Sequence, residues 1–115
     1  MATKAEMEAR RLVRERSGGV CEICGEQKAT NFQHRKPKSH AGPWSASNGL
    51  DVCGMGNAFG CHGYLHQNPD LACENGWSVK SWDDETEVPV LTVQGWVFLD
   101  DKGQYLDEPQ EVPHG

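Results

Sequence analysis

Four cysteines constrain what this chain can fold into more than any other feature. Cys21 and Cys24 form a C-x2-C knuckle, and Cys53 and Cys61 form a second, wider pair with seven residues between them. A C-x2-C turn presents two thiolates from one tight bend, and a second pair from a distant loop completes the tetrahedron that zinc prefers. Glycines at 54, 56 and 60 make a compact excursion inside the wide pair feasible. The chain also needs a staple. Its 115 residues suit one small domain, and only 37% of them are hydrophobic, which is a lean core for that size. Structural zinc contributes on the order of 10 kcal/mol to folding in small domains, so the metal can decide whether such a chain folds. A redox C-x2-C with unrelated buried cysteines is the alternative, but no βαβ pattern surrounds Cys21. The fifth cysteine, Cys73, reads as a half-buried hydrophobe.

The start of the chain is charged and has no apolar signal core, and no run approaches the roughly 20 apolar residues of a membrane span. A reducing cytoplasmic setting is expected, where C-x2-C reads as metal-binding rather than disulfide-forming. The net charge of −6 argues against a nucleic-acid partner, but its distribution argues the other way. Residues 1–40 carry nine Lys/Arg and five Asp/Glu, whereas residues 41–115 carry two and twelve. The basic half contains the cluster His34-Arg35-Lys36-Pro37-Lys38. Local charge, more than total charge, sets the field that a phosphate meets.

Residues 4–16 predict a helix of strong formers, stopped by Ser17-Gly18-Gly19. Its apolar residues are few, with Met7, Leu12 and Val13 the large ones, so it leans on a neighbour. Val20 to Gly25 predicts a short strand and the knuckle. Thr30 to Arg35 predicts a strand with Phe32 and His34 on one face. Residues 36–47 are a Pro-, Gly- and Ser-rich loop, and a turn at Ser47-Asn48-Gly49 leads to a second strand, Leu50 to Cys53. Cys61 to Gln67 predicts a short helix ended by Asn68-Pro69, and Pro69 to Glu74 a further two turns. Strand-like segments follow at Gly76 to Val79, Val88 to Val93 and Gly95 to Leu99, then a turn at 100–103. Residues 107–115 read as a frayed tail.

Three histidines join the cysteines as candidates for chemistry. His62 and His66, four apart on a helix, share one face and suit a single divalent ion. Taken alone, H-x3-H is a weak signal; it gains weight by starting at Cys61. His34 alone reads as a half-buried strand histidine, but it precedes the basic run. His40 and His114 read as solvated. Trp44, beside Pro43 in the loop, reads as a packing anchor that caps the cysteine knuckle rather than as a base-stacking residue.

Together these residues resemble the HNH endonuclease family, the ββα-metal or His-Me finger nucleases, over Val20 to Pro69. The resemblance lies in QHR at Gln33-His34-Arg35, in Asn48 before the second strand, and in CHGYLH from Cys61 to His66. The flanking CEICG and VCGMGNAFGC look like the zinc-bearing branch, and the compact CHG with a following NP resembles small phage HNH proteins. The resemblance implies that His34 is the general base and that Asn48 holds the loop that aims it or lends its oxygen to the site. It also implies that His62 takes part in catalysis and, with His66, holds one divalent cation such as Mg2+, Mn2+ or Ni2+. Arg35, Lys36 and Lys38 would contact phosphates. Gln33 stands where the family usually has a metal-binding His or Asp, and a neutral amide oxygen implies weaker binding of the ion. The implied partners are DNA and, by the phage likeness, terminase or another packaging protein, in the host cytoplasm.

The expectation is an α+β fold with three parts. Residues 1–19 form an N-terminal helix, 20–69 a zinc-stapled ββα-metal core, and 70–115 an acidic extension with short strands. The expected activity is phosphodiester hydrolysis with limited sequence preference. The alternatives are a zinc-ribbon-like binding module without catalysis, which would need only Cys21, Cys24, Cys53 and Cys61, and a redox protein using Cys21 and Cys24.

Overall fold

Helix α1 (Lys4–Ser17) begins where the Thr3 hydroxyl accepts the Glu6 N–H at 3.1 Å, and it ends at Gly18 in the left-handed conformation. The computed structural model describes residues 1–37, 39, 42–56 and 58–111. Lys38, His40 and His114, named above, lie outside them. The buried face of α1 is narrow: Ala9 and Val13 are covered, while Met7, expected to help anchor the helix, is 62% exposed. Charge therefore does much of the anchoring. Arg14 pairs with Asp51 at 2.6 Å. Arg16 pairs with Glu22 at 2.9 Å, with both side chains buried.

Strand β1 (Asn31–His34) pairs antiparallel with β2 (Gly49–Val52), in a register that sets His34 opposite Gly49 and Phe32 opposite Asp51. A short 3-10 turn, Ala46–Asn48, leads into β2. Helix α2 (Gly60–Gln67) and helix α3 (Pro69–Glu74) follow, and Pro69 opens the second of these, where its missing N–H is tolerated. The order β1, β2, α2 is a ββα unit.

A second antiparallel sheet follows, with β3 (Val90–Thr92), β4 (Gly95–Leu99) and β5 (Tyr105–Leu106) in that order. The strand expected at Gly76 to Val79 does not form. The Trp77 and Ser78 N–H groups donate to the Ala72 carbonyl at 2.9 and 3.1 Å, closing the end of α3, so they are not available to a ladder. Tyr105–Leu106 has no strand signal of its own and is brought into the sheet by β4.

Residues 70–111 supply part of the main core. Val90, Val97, Leu99, Trp77 and Ala72 pack with Cys21, Leu50, Val52, Cys53 and Leu65 in one cluster. The Val93 N–H donates to the Glu22 carbonyl at 2.9 Å, tying the second sheet to the cysteine knuckle. The whole is an α+β fold with two small antiparallel sheets around a cysteine cluster. Among the described residues, no helix is long and apolar enough to cross a membrane.

Candidate functional site

The sulfur atoms of Cys21, Cys24, Cys53 and Cys61 lie within 4.8 Å of one another. Cys24 Sγ and Cys53 Sγ are 3.8 Å apart. A zinc–sulfur bond of about 2.3 Å in a tetrahedron sets neighbouring sulfurs about 3.8 Å apart, so the donor set fits zinc. Backbone amides support the sulfurs: Cys24 N–H donates to Cys21 Sγ at 3.5 Å and Cys61 N–H to Cys53 Sγ at 3.4 Å. The wide second pair closes through its glycines. A Cβ on Gly60 would meet the Gly54 Cα at 2.4 Å, so the two backbones approach as only glycines permit.

Burial pushes the Cys21 and Cys61 thiols above their ordinary range, and for Cys61 the neighbouring sulfurs add to the effect. Burial also works against the Cys24 thiolate, but N–H groups around Glu26 and Gln27, with Cys21 and Cys53, outweigh it and hold Cys24 at about 7. Four crowded thiols of this kind deprotonate together only beside a cation.

Helix α2 starts at this cluster and turns its other face elsewhere. Cys61 and Leu65 face the core, and His62 and His66 face outward with their rings 4.5 Å apart. They share an open cleft of about 390 Å3 with Phe32, Gln33, His34, Pro37 and Ser39. Three imidazoles from two distant stretches therefore line one cavity beside the cysteine cluster. Among the described residues, the cysteines are the one group of three or more thiol, imidazole or carboxylate donors close enough to share an ion. The histidine cleft offers a ring pair on α2, with His34 and the Gln33 amide across from it.

The His62 Nδ1 lies 2.5 Å from the Gly56 carbonyl. In that contact Nδ1 carries the proton, which leaves Nε2 as the lone-pair nitrogen, the tautomer a metal ligand requires. Burial and the neighbouring His62 lower the pKa of His66. Gln33 donates through Nε2 to the His34 carbonyl at 3.0 Å, so Oε1 is the atom it can offer to a cation.

Asn48 is fully buried and works as a loop tie. Its Oδ1 accepts the Lys36 N–H at 2.8 Å, and its Nδ2 donates to the Lys36 and Pro43 carbonyls at 2.9 and 3.1 Å. Its carbonyl accepts the Arg35 N–H at 2.8 Å, directly after His34. Both ends of its amide are therefore occupied by backbone of the loop that follows His34.

The expectation for Arg35 requires correction. Its side chain is 0% exposed and donates to the carbonyls of Gly76, Ser47, Glu85 and Val88 at 2.8 to 2.9 Å. Burial, with a push from Arg16, lowers its pKa to about 10, so it stays charged at neutral pH. Arg35 cannot reach a phosphate. A guanidinium with five donors can replace water for four carbonyls at once, so the fold buries it. Lys36 is paired with Glu85 at 3.1 Å, and both side chains are largely covered.

Trp44, expected to cap the cysteine knuckle, packs in a group with His34, Phe32 and Arg10. Its ring lies 4.2 Å from His34 and 5.0 Å from Phe32, and the Arg10 guanidinium sits 4.9 Å above it. Sequence reasoning placed Phe32 and His34 on one face but missed the third ring, because contact across the nine residues between His34 and Trp44 leaves no periodicity. Cys73 is half-buried, as expected.

No protein-family model, no curated protein and no solved structure matches this chain. The chain is a small α+β domain with a cluster of four cysteines that could hold a metal ion and a histidine-lined cleft on the adjoining helix.

Proposed function

We propose that the chain is a metal-dependent DNA endonuclease of the HNH, or ββα-metal, type. One observation carries the reading: His34, at the end of β1, and His62 and His66, on α2, line the same cleft together with Gln33. A redox C-x2-C or a bare zinc module has no use for that convergence.

In this reading His34 is the general base. A neutral imidazole near physiological pH accepts a proton from the water that attacks the scissile phosphorus. His62 through Nε2, His66 and the Gln33 Oε1 would hold a divalent cation. Such an ion polarises the phosphate and stabilises the developing charge on the leaving oxygen. Asn48 keeps the segment after His34 in register by bonding both Lys36 and Pro43. The cysteine centre, through Cys61, fixes where α2 begins and hence where His62 and His66 stand.

The test is plasmid nicking with Mg2+, Mn2+ or Ni2+, run on wild type and His34→Ala with both shown to be folded. Cleavage by the wild type that disappears in the variant supports the reading. Absence of cleavage by the folded, zinc-loaded wild type with each ion rejects it. A second reading, a zinc-stapled binding module without catalysis, has the burial of Arg35 and the pairing of Lys36 in its favour, because both remove cations from the expected phosphate face. It requires binding that His34→Ala leaves intact and no cleavage by either protein.

A further inference from the structure

We propose that Trp44 is the positioning residue that sets the orientation of the His34 ring, and that Arg10 seats it there; this rests on His34 acting as the base. An imidazole turns broadly about its last side-chain bond, so a strand alone does not aim it. Two aromatic rings limit that freedom. Trp44 meets His34 edge-on at 4.2 Å with planes 74° apart, and Phe32 meets it at 5.1 Å and 64°. Trp44 and Phe32 also touch, with centroids 5.0 Å apart. The ring of Phe32 occupies the space over Gly49, the cross-strand partner of His34, where a Cβ would come within 2.2 Å of it. Edge-to-face geometry is the preferred arrangement for such rings, so the cage favours one tilt of the imidazole.

Trp44 touches two rings that line the cleft, Phe32 and His34. It is held from two directions. From the loop, Asn48 bonds the Pro43 carbonyl, one residue before Trp44. From α1, the Arg10 guanidinium stacks 4.9 Å from the Trp44 ring and 5.7 Å from that of Phe32, and Glu6 holds it at 3.0 Å. The N-terminal helix thereby reaches the base through a cation and an indole.

The experiment uses the full zinc-loaded chain as wild type, Trp44→Phe, Trp44→Leu and Arg10→Gln, with zinc content and melting measured for each. Nicking kinetics with Mn2+ are paired with the NMR shifts of the His34 ring protons, which sense the indole ring current. Trp44→Leu is expected to lower kcat about tenfold or more with KM nearly unchanged, because misaimed groups lose rate rather than binding. Its His34 shifts should move, and Trp44→Phe should recover most of kcat. Arg10→Gln should shift the same protons in the same direction and lower kcat less. An unchanged kcat in Trp44→Leu, or a rise in KM alone, overturns the assignment. If Trp44→Leu does not fold, Arg10→Gln decides: unmoved His34 shifts overturn it, and moved shifts with lowered kcat support it. A folded wild type that does not nick rejects the nuclease reading and this inference together. A wild type that nicks while the variants keep its kcat rejects this inference alone.

Discussion

The cysteine cluster and the histidine cleft share helix α2, with Cys61 and His62 adjacent in the chain, yet they are built in opposite ways. The cluster is made of four like donors, two of them fully inside the core, with amides aimed at sulfur. It has no open position for a substrate. The cleft is open and is lined by unlike groups from a strand, a loop and a helix. A closed set of identical ligands stabilises a fold, and an open set of mixed groups leaves room for a reaction. The contrast teaches that one short helix can join the two because its faces separate. The 61/65 side packs on the core cluster, and the 62/66 side lines the open cleft.

The largest break in that contrast is expected from denying the four cysteines the metal ion they could hold. Stripping zinc with a strong chelator, or making Cys61→Ser, is expected to remove on the order of 10 kcal/mol and to abolish cooperative unfolding. Zinc content and circular dichroism check it, and a native melt without metal would contradict the scaffold role. Next, Arg35→Ala is expected to destabilise by about 3–5 kcal/mol, the scale of breaking a buried charged network, because four carbonyls lose their donor. Urea unfolding measures this. A variant with unchanged stability and weakened DNA binding would return Arg35 to the phosphate face.

On the cleft side, His34→Ala is expected to lower the nicking rate by about 10²–10⁴-fold while the protein still melts cooperatively. A parallel loss of stability would make His34 part of the scaffold and blur the comparison. Asn48→Ala stands between the two regions and should cost about 1–3 kcal/mol, since it leaves buried backbone groups of Lys36 and Pro43 without their partner. Its nicking rate should fall too, through the loop. The smallest effect on stability is expected for His62→Ala, about 0.5–1 kcal/mol for the lost bond to the Gly56 carbonyl. Calorimetric titration with Mn2+ should nonetheless show weakened ion binding in that variant. Unaltered binding would take His62 out of the ion's ligand set.

Much of the fold was legible because its signals are local. Gly18 ended α1, Pro69 opened α3, and the alternation of Phe32 and His34 marked β1. Those effects act over a few residues and are written in consecutive letters. Gly76 to Val79 looked equally strand-like and failed, because α3 had first claim on its N–H groups. The cysteine cluster was legible from spacing, since thiolates have few other reasons to converge in a domain of this kind. The cleft was legible as a list of residues. Its support was not, because Arg10, Trp44 and His34 meet only once three separate segments are packed.

By itself, the sequence determined the four sulfurs, the ββα order and the histidine pair on one helical face, all of which follow from residue type and short-range spacing. Only the tertiary structure decided which cations are spent. Arg35 and Arg16, indistinguishable from surface arginines in the sequence, became internal braces when carbonyls from residues 46–49 and 76–88 closed around them. The reason is that burial is a property of what packs on a side chain, and a buried charge persists where distant backbone replaces the water it has lost.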